Sequence, residues 1–275
     1  MTRHRVVPFL LALLLGMAPA SSFAQLTLAK DAPIVYGHHH LNVTSVEEHR
    51  KFWVTALGGV PGKLGNTDIV KFPNVLVVLG QRAPAGGSKG STADHIGFQV
   101  QNLRATVDRL KAGGFSLITM TELPPGMKAE EQDGIAFMTV SKNSTAFALG
   151  PDGQKVEIIE NKALAVPVAL HHIHFFTPQV DEMKAWYEKA FGAKVPGVTL
   201  AFRAADGPVA GTRGRVTDHI GFEIRNLEAF LARLEGMGIK PGRPYAKAGT
   251  GVGYAFITDP WGTSIELTEG FDKVE

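Results

Sequence analysis

A chain of 275 residues with no cysteine cannot be a disulfide scaffold, a thiolate enzyme or a Cys-ligated zinc protein. Its formal net charge of +2, without a basic cluster, gives no electrostatic reason to bind nucleic acid or an anionic membrane. Its length is enough for two halves that each bury a core.

In chain order, Met1 to Ala24 reads as a secretory leader. Arg3 and Arg5 precede an apolar run from Val6 to Met17, and Ser22-Phe23-Ala24 supplies small residues before a cut at Gln25. Cleavage would remove two arginines and no acids, leaving a neutral, exported protein in the periplasm or outside the cell, with no membrane anchor. No later run approaches the roughly 20 apolar residues of a spanning helix. Ile34 to Val43 alternates like a strand. Ser45-Val46-Glu47-Glu48 is a capping box that opens a helix running through Phe52, Trp53 and Leu57 to Gly58-Gly59. Val70 to Leu79 is strand material, and His95 to Val100 another strand. Asn102 caps a helix with Leu103, Val107 and Leu110 at helical spacing. Strands are expected at Ile135 to Val140, Thr145 to Leu149 and Lys155 to Ile159. Asn161 to Pro167 reads as a linker. A second round follows: strand Val168 to Phe176, helix Val180 to Phe191, strands Val198 to Phe202 and His219 to Ile224, a helix capped by Asn226, and a last strand Ile265 to Thr268. Glu122 to Asp133 and Pro241 to Gly253 are long enough to be lid loops.

The two rounds are copies. Asp94-His95-Ile96-Gly97-Phe98 recurs as Asp218-His219-Ile220-Gly221-Phe222, and His38 and His40 align with His172 and His174. Pro151-Asp152-Gly153 with Glu157 answers to Pro260-Trp261-Gly262 with Glu266. Each half therefore carries a His, a His and a Glu on three separate strands. His38, His95 and Glu157 form one expected triad; His172, His219 and Glu266 form the other, favoured one. Two imidazoles and a carboxylate suit a divalent transition metal (Fe, Mn, Zn, Ni or Co), with positions left open for a substrate. The alignment selects His38 from its triple-histidine run, leaving His40 and His174 beside the ligands or against substrate, with His40 in place of His38 as the alternative. Strand alternation sends Asp94 and Asp218 to the opposite face, as structural residues.

These motifs, with Trp186-Tyr187, Phe191-Gly192 and Asp259-Pro260-Trp261-Gly262, resemble the vicinal oxygen chelate superfamily, which includes glyoxalase I, fosfomycin-resistance transferases and extradiol dioxygenases. The resemblance implies an α+β fold of two tandem domains, over 34–160 and 167–270. Each would be built of paired βαβββ modules in a half-open barrel around one metal. It implies His38 and His172 as first-strand ligands, His95 and His219 as central ligands, and Glu157 and Glu266 as last-strand ligands. The chain departs from glyoxalase I in having no Asp or Glu in Val75 to Leu79 or Thr199 to Phe202. It departs from extradiol enzymes in Phe256 at their tyrosine position and in the absence of histidine from Pro241 to Thr258.

The expectation is a metal-dependent lyase, isomerase or dioxygenase acting on a small molecule through vicinal oxygens. Tyr254 and Lys247 are the candidate catalytic helpers. Tyr245, Lys128 and Glu131 are further candidates, and Lys89, Arg213 and Arg215 could meet an anionic group. The alternative is a non-catalytic protein that sequesters an aromatic or oxygenated ligand among Phe202, Trp186, Tyr254 and Phe256. The sequence leaves both monomer and homo-oligomer open.

Overall fold

The computed structural model describes residues 32–123, 126–249 and 251–271; the leader and the cut before Gln25 lie outside them. The first alternating stretch is β1 (Ile34–Val43). Ser45 then caps α1 (Val46–Arg50), its hydroxyl accepting from Glu48 N at 3.3 Å, and a π-helical turn, Lys51–Ala56, carries Phe52 and Trp53 into the core. After β2 (Val60–Leu64), the run expected as strand material is a hairpin, β3 (Thr67–Phe72) and β4 (Val75–Gln81). The bend falls at Pro73-Asn74, where Asn74 has φ 68°. Next come β5 (Ala93–Val100) and α2 (Leu103–Ala112), whose cap Asn102 accepts from Ala105 N at 2.9 Å. Then follow β6 (Ser116–Leu117), α3 (Thr119–Glu122), β7 (Ala129–Gln132), β8 (Ile135–Met138), β9 (Asn143–Leu149) and β10 (Lys155–Glu160). The second half supplies β11 (Val168–Thr177), α4 (Val180–Phe191), β12 (Thr199–Ala204), β13 (Thr217–Ile224) and α5 (Leu227–Gly236). It ends with β14 (Arg243–Lys247), β15 (Gly253–Thr258) and β16 (Ser264–Glu269). Both expected lid loops thus contain a strand, β7 in one and β14 in the other. Among the described residues no helix is long and apolar enough to cross a membrane.

The strands form two open sheets. One has the order β14-β15-β16-β13-β1-β4-β3-β2; the other runs β12-β11-β5-β10-β9-β8-β7, with β6 pairing β9. The central contact in each is antiparallel, β1 with β13 and β5 with β11. Each sheet therefore joins a unit of the first half to a unit of the second. This differs from the expected division, in which each half curls around its own site. The linker does not separate two sheets. It connects β10 to β11, which both lie against β5, and it is pinned there by Asn161 N to Val100 O at 2.8 Å and Gln101 N to Pro167 O at 3.1 Å. One contiguous apolar core serves both halves. Phe72 and Phe98 approach to 4.7 Å between ring centroids on one side, and Phe191 stacks on Phe222 at 4.2 Å on the other.

Candidate metal centres

Two bulges in each central strand pair decide which side chains meet. In β1 the register against β13 slips between Tyr36 and His38, and in β11 the register against β5 slips between Leu170 and His172. Tyr36 and Leu170 pack in the core, so simple alternation would carry the histidines there too. The extra residue turns His38 and His172 to the other face of their sheets. A second slip, opposite Asp218 in β13 and Asp94 in β5, bends each aspartate back toward the histidine that follows it.

The register then lays out each centre as one row across three strands. His172 pairs with Gly97 on β5, and Gly97 pairs with Glu157 on β10. In the other sheet His38 pairs with Gly221 on β13, and Gly221 with Glu266 on β16. The glycine is required because the imidazole lies over it. A Cβ on Gly97 would fall 2.0 Å from His172 Cε1, and one on Gly221 would fall 2.0 Å from His38 Cε1. This is why the repeated five-residue motif carries glycine at its fourth position. His95 and His219, two residues earlier on the same strand faces, close each cluster.

The groupings are thus His95, Glu157, His172 and His174 in one sheet, and His38, His219 and Glu266 in the other; within each, the ligating atoms all lie within 4.8 Å of one another. All six expected ligands are gathered, but the first-strand histidines are exchanged between the expected triads. The cause is the cross-half pairing of β1 with β13 and of β11 with β5. His174, aligned only as a neighbour, brings its Nδ1 to 3.2 Å from His95 Nε2. Its counterpart His40 instead stacks flat on the His219 ring at 4.3 Å, over Gly80.

The donors are pre-oriented. His95 Nδ1 donates to Asp94 Oδ1 at 2.7 Å, and His219 Nδ1 donates to Asp218 Oδ1 at 2.7 Å. Both aspartates, expected to point away, therefore fix the ring that presents Nε2 to the carboxylate. With the proton on Nδ1, the His95 Nε2 lone pair faces Glu157 Oε2 at 3.3 Å, and His172 Nε2 lies 3.1 Å from the same oxygen without hydrogen-bond geometry. His38 Nδ1 is likewise buried without a hydrogen bond. Lone pairs converging on one anionic oxygen repel unless a proton or cation lies between them. Burial holds His174 and His40 down at about 3, so both are neutral imidazoles near neutral pH. Burial pushes Glu157 up, but the His172 and His95 rings set against it hold it well below the usual carboxylate range. The donor set fits a divalent cation.

Residues 169–267 match the family model of the Glyoxalase/Bleomycin resistance protein/Dioxygenase superfamily. That stretch is a domain of the superfamily. Among solved structures, glyoxalase I from Zea mays superposes with a TM-score of 0.64 at 15% identity, covering 87% of this chain and 94% of that one. A putative dioxygenase from Bacillus subtilis subsp. subtilis str. 168 superposes with a TM-score of 0.57 at 13% identity, covering 86% of each chain. At such identities the likeness establishes the shared fold and nothing of the chemistry. No curated protein matches the sequence.

Within this glyoxalase/dioxygenase fold the two centres are not equivalent. A cavity of about 720 Å³ opens on His95, Glu157 and His174. Beside the other centre lies a small apolar cluster of Ile69, Leu76, Val78, Val252 and Phe271, and Phe271 packs its ring 5.0 Å from that of His38. Apart from Lys89, the further residues that furnish the open cavity are ones the motifs did not mark. Lys155 is buried beside Glu157 on β10, paired with Asp94 and with Glu122 at 2.7 Å, its ammonium over the rings of Phe147 and Phe176. Lys89 holds the other Glu122 oxygen at 2.5 Å, and Thr145 Oγ1 donates to Glu157 Oε1 at 3.1 Å. Lys155 had a signal in the sequence: it stands two residues before Glu157, hence on the same strand face, where the second half has Ser264.

The helpers expected in the second half, Tyr254 on β15 and Lys247 on β14, lie in the sheet of the other centre, β15 next to the strand of Glu266, and neither borders the cavity. Tyr254 instead packs under Arg243, and Lys247 is exposed. Glu131 is taken up by the turn before β8, accepting from Gly134 N at 2.5 Å. Of the charges expected to meet an anion, Lys89 borders the cavity, whereas Arg215 donates to Gly87 O at 2.9 Å.

Proposed function

We propose that the protein is an exported, divalent-metal-dependent enzyme of the glyoxalase/dioxygenase superfamily that acts on a small molecule through vicinal oxygen atoms. The working centre is His95, Glu157 and His172, with His174 beside them. The observation that carries this reading is the pre-oriented donor set opening into the 720 Å³ cavity. The metal is Fe, Mn, Zn, Ni or Co, and when bound it supplies a Lewis acid that polarises a substrate oxygen.

The chain's own residues do the rest. Asp94 keeps the His95 proton on Nδ1, so that Nε2 remains a donor. Thr145 engages Oε1 of Glu157 and leaves Oε2 to the centre, where it can take a proton from a bound substrate. The Lys155 ammonium adds fixed positive charge beside the position where an oxyanion would develop. Glu122, gripped between Lys89 and Lys155, ties the segment after α2 down over the cavity and restricts water. The Glu266 centre, which has the apolar cluster beside it, takes no substrate in this reading.

The test is to reconstitute the mature protein with each metal in turn. It is then screened for isomerisation of hemithioacetals under nitrogen and for oxygen uptake on catechols in air. Turnover that is lost in Glu157→Gln and kept in Glu266→Gln is expected. Retained metal without turnover or substrate binding in either assay would make the sequestering reading the better one.

A further inference from the structure

We propose that Arg203 is an anion anchor at the rim of the cavity, and that the substrate carries a carboxylate in addition to its vicinal oxygens. This inference rests on the proposed function and specifies its substrate class.

β11 and β12 run parallel in the register His172 with Thr199, His174 with Ala201 and Phe176 with Arg203. His174, Phe176 and Arg203 all border the cavity. Opposite the histidines, β12 thus offers small side chains that leave room for a ligand, and then a guanidinium. Two residues of strand separate the His174 row from the Arg203 row, about 7 Å. That is the scale of a compact ring bearing oxygens at one end and a carboxylate at the other.

Among the described residues that border this cavity, Arg203 is the cation not paired with a carboxylate. Lys89 is paired with Glu122, and Lys155 with Asp94 and Glu122. Among the described residues the Arg203 guanidinium makes no hydrogen bond and no ion pair, although it is half-buried and the exposed Asp206 borders the same cavity. A partly desolvated guanidinium is poorly placed unless an anion meets it, and its planar fork matches a carboxylate in bidentate geometry. The fold does not demand arginine here. At the corresponding place in the other sheet, opposite Asn42, β4 has Gly80.

The test uses the Zn-loaded mature chain and two probes that differ only in a carboxylate, catechol and 3,4-dihydroxybenzoate, titrated by calorimetry. Wild type should bind the carboxylated probe about ten- to a hundred-fold more tightly, the range of a charge-assisted hydrogen-bonded pair. Arg203→Met should reduce that preference to within about two-fold while leaving catechol binding unchanged, and Arg203→Lys should retain part of it. Catechol bound by wild type without any carboxylate preference, or a preference that survives in Arg203→Met, would overturn the anchor alone. Binding of neither probe by the metal-loaded protein would overturn the vicinal-oxygen reading and the anchor together.

Discussion

The glycine at the centre of each histidine–glutamate row is the residue on which the geometry of the candidate metal centres turns. In Gly97→Ala the new methyl would lie 2.0 Å from His172 Cε1, so the imidazole must leave its place. The expected cost is about 1–3 kcal/mol of overpacking, a fall of some 2–4 °C in Tm for each kcal/mol in a chain of this size. More tellingly, zinc should stabilise this variant less than it stabilises wild type, which thermal melts with and without the metal will measure. An unchanged metal-induced shift would contradict the cradle. Asp94 carries a pH signature. Burial pushes it up, but the hydrogen bond from His95 and the Lys155 ammonium hold it at about 2. Its folded value thus lies below the unfolded one near 3.9, so its contribution is full above about pH 4 and is lost as pH falls toward 2. Urea midpoints measured across that interval should fall more steeply for wild type than for Asp94→Asn. Parallel lines would show that Asp94 is not held by these partners.

At the scale of elements, the local signals were legible and the long-range ones were not. Ser45, Asn102 and Asn226 cap their helices as the sequence indicates, because a cap needs only its own next three residues. The hairpin between β3 and β4 hid in a valine-rich run, its turn depending on Asn74 tolerating positive φ. β7 and β14 hid in charged, Gly- and Pro-rich stretches that look like loops. The aspartates of the repeated motif were read by strict alternation, which a bulge breaks. The residues that cluster were readable from the repeat, but their grouping was not. Strand partnership is a property of topology, and either first-strand histidine is compatible with either glutamate until β1 is seen to pair with β13. That pairing makes a prediction of its own. A fragment ending at Ala163 and one beginning at Leu164 each lack the partner of a central strand, leaving a long edge exposed. Size-exclusion chromatography should find each fragment aggregated or oligomeric, and the mixture restored to the size of the intact chain. Two well-folded monomeric halves would contradict the interleaved sheets.

For the whole molecule, duplication has produced two centres with one architecture and unequal surroundings. One opens on a cavity furnished with Lys155, Glu122 and Arg203; the other has Phe271 and its apolar neighbours beside it. The leader reading belongs to this scale too: the exported protein should begin near Gln25 by intact mass, and material retaining Met1 would refute it. The central claim is that each centre is assembled across the two halves, and cobalt stoichiometry on paired variants tests it most directly. Glu157→Ala and His172→Ala should each remove one and the same site, so that the double variant loses no more metal than either single. Glu157→Ala with Glu266→Ala should remove both. If His172→Ala instead proves redundant with Glu266→Ala and additive with Glu157→Ala, each half holds its own metal and the assembly described here is wrong.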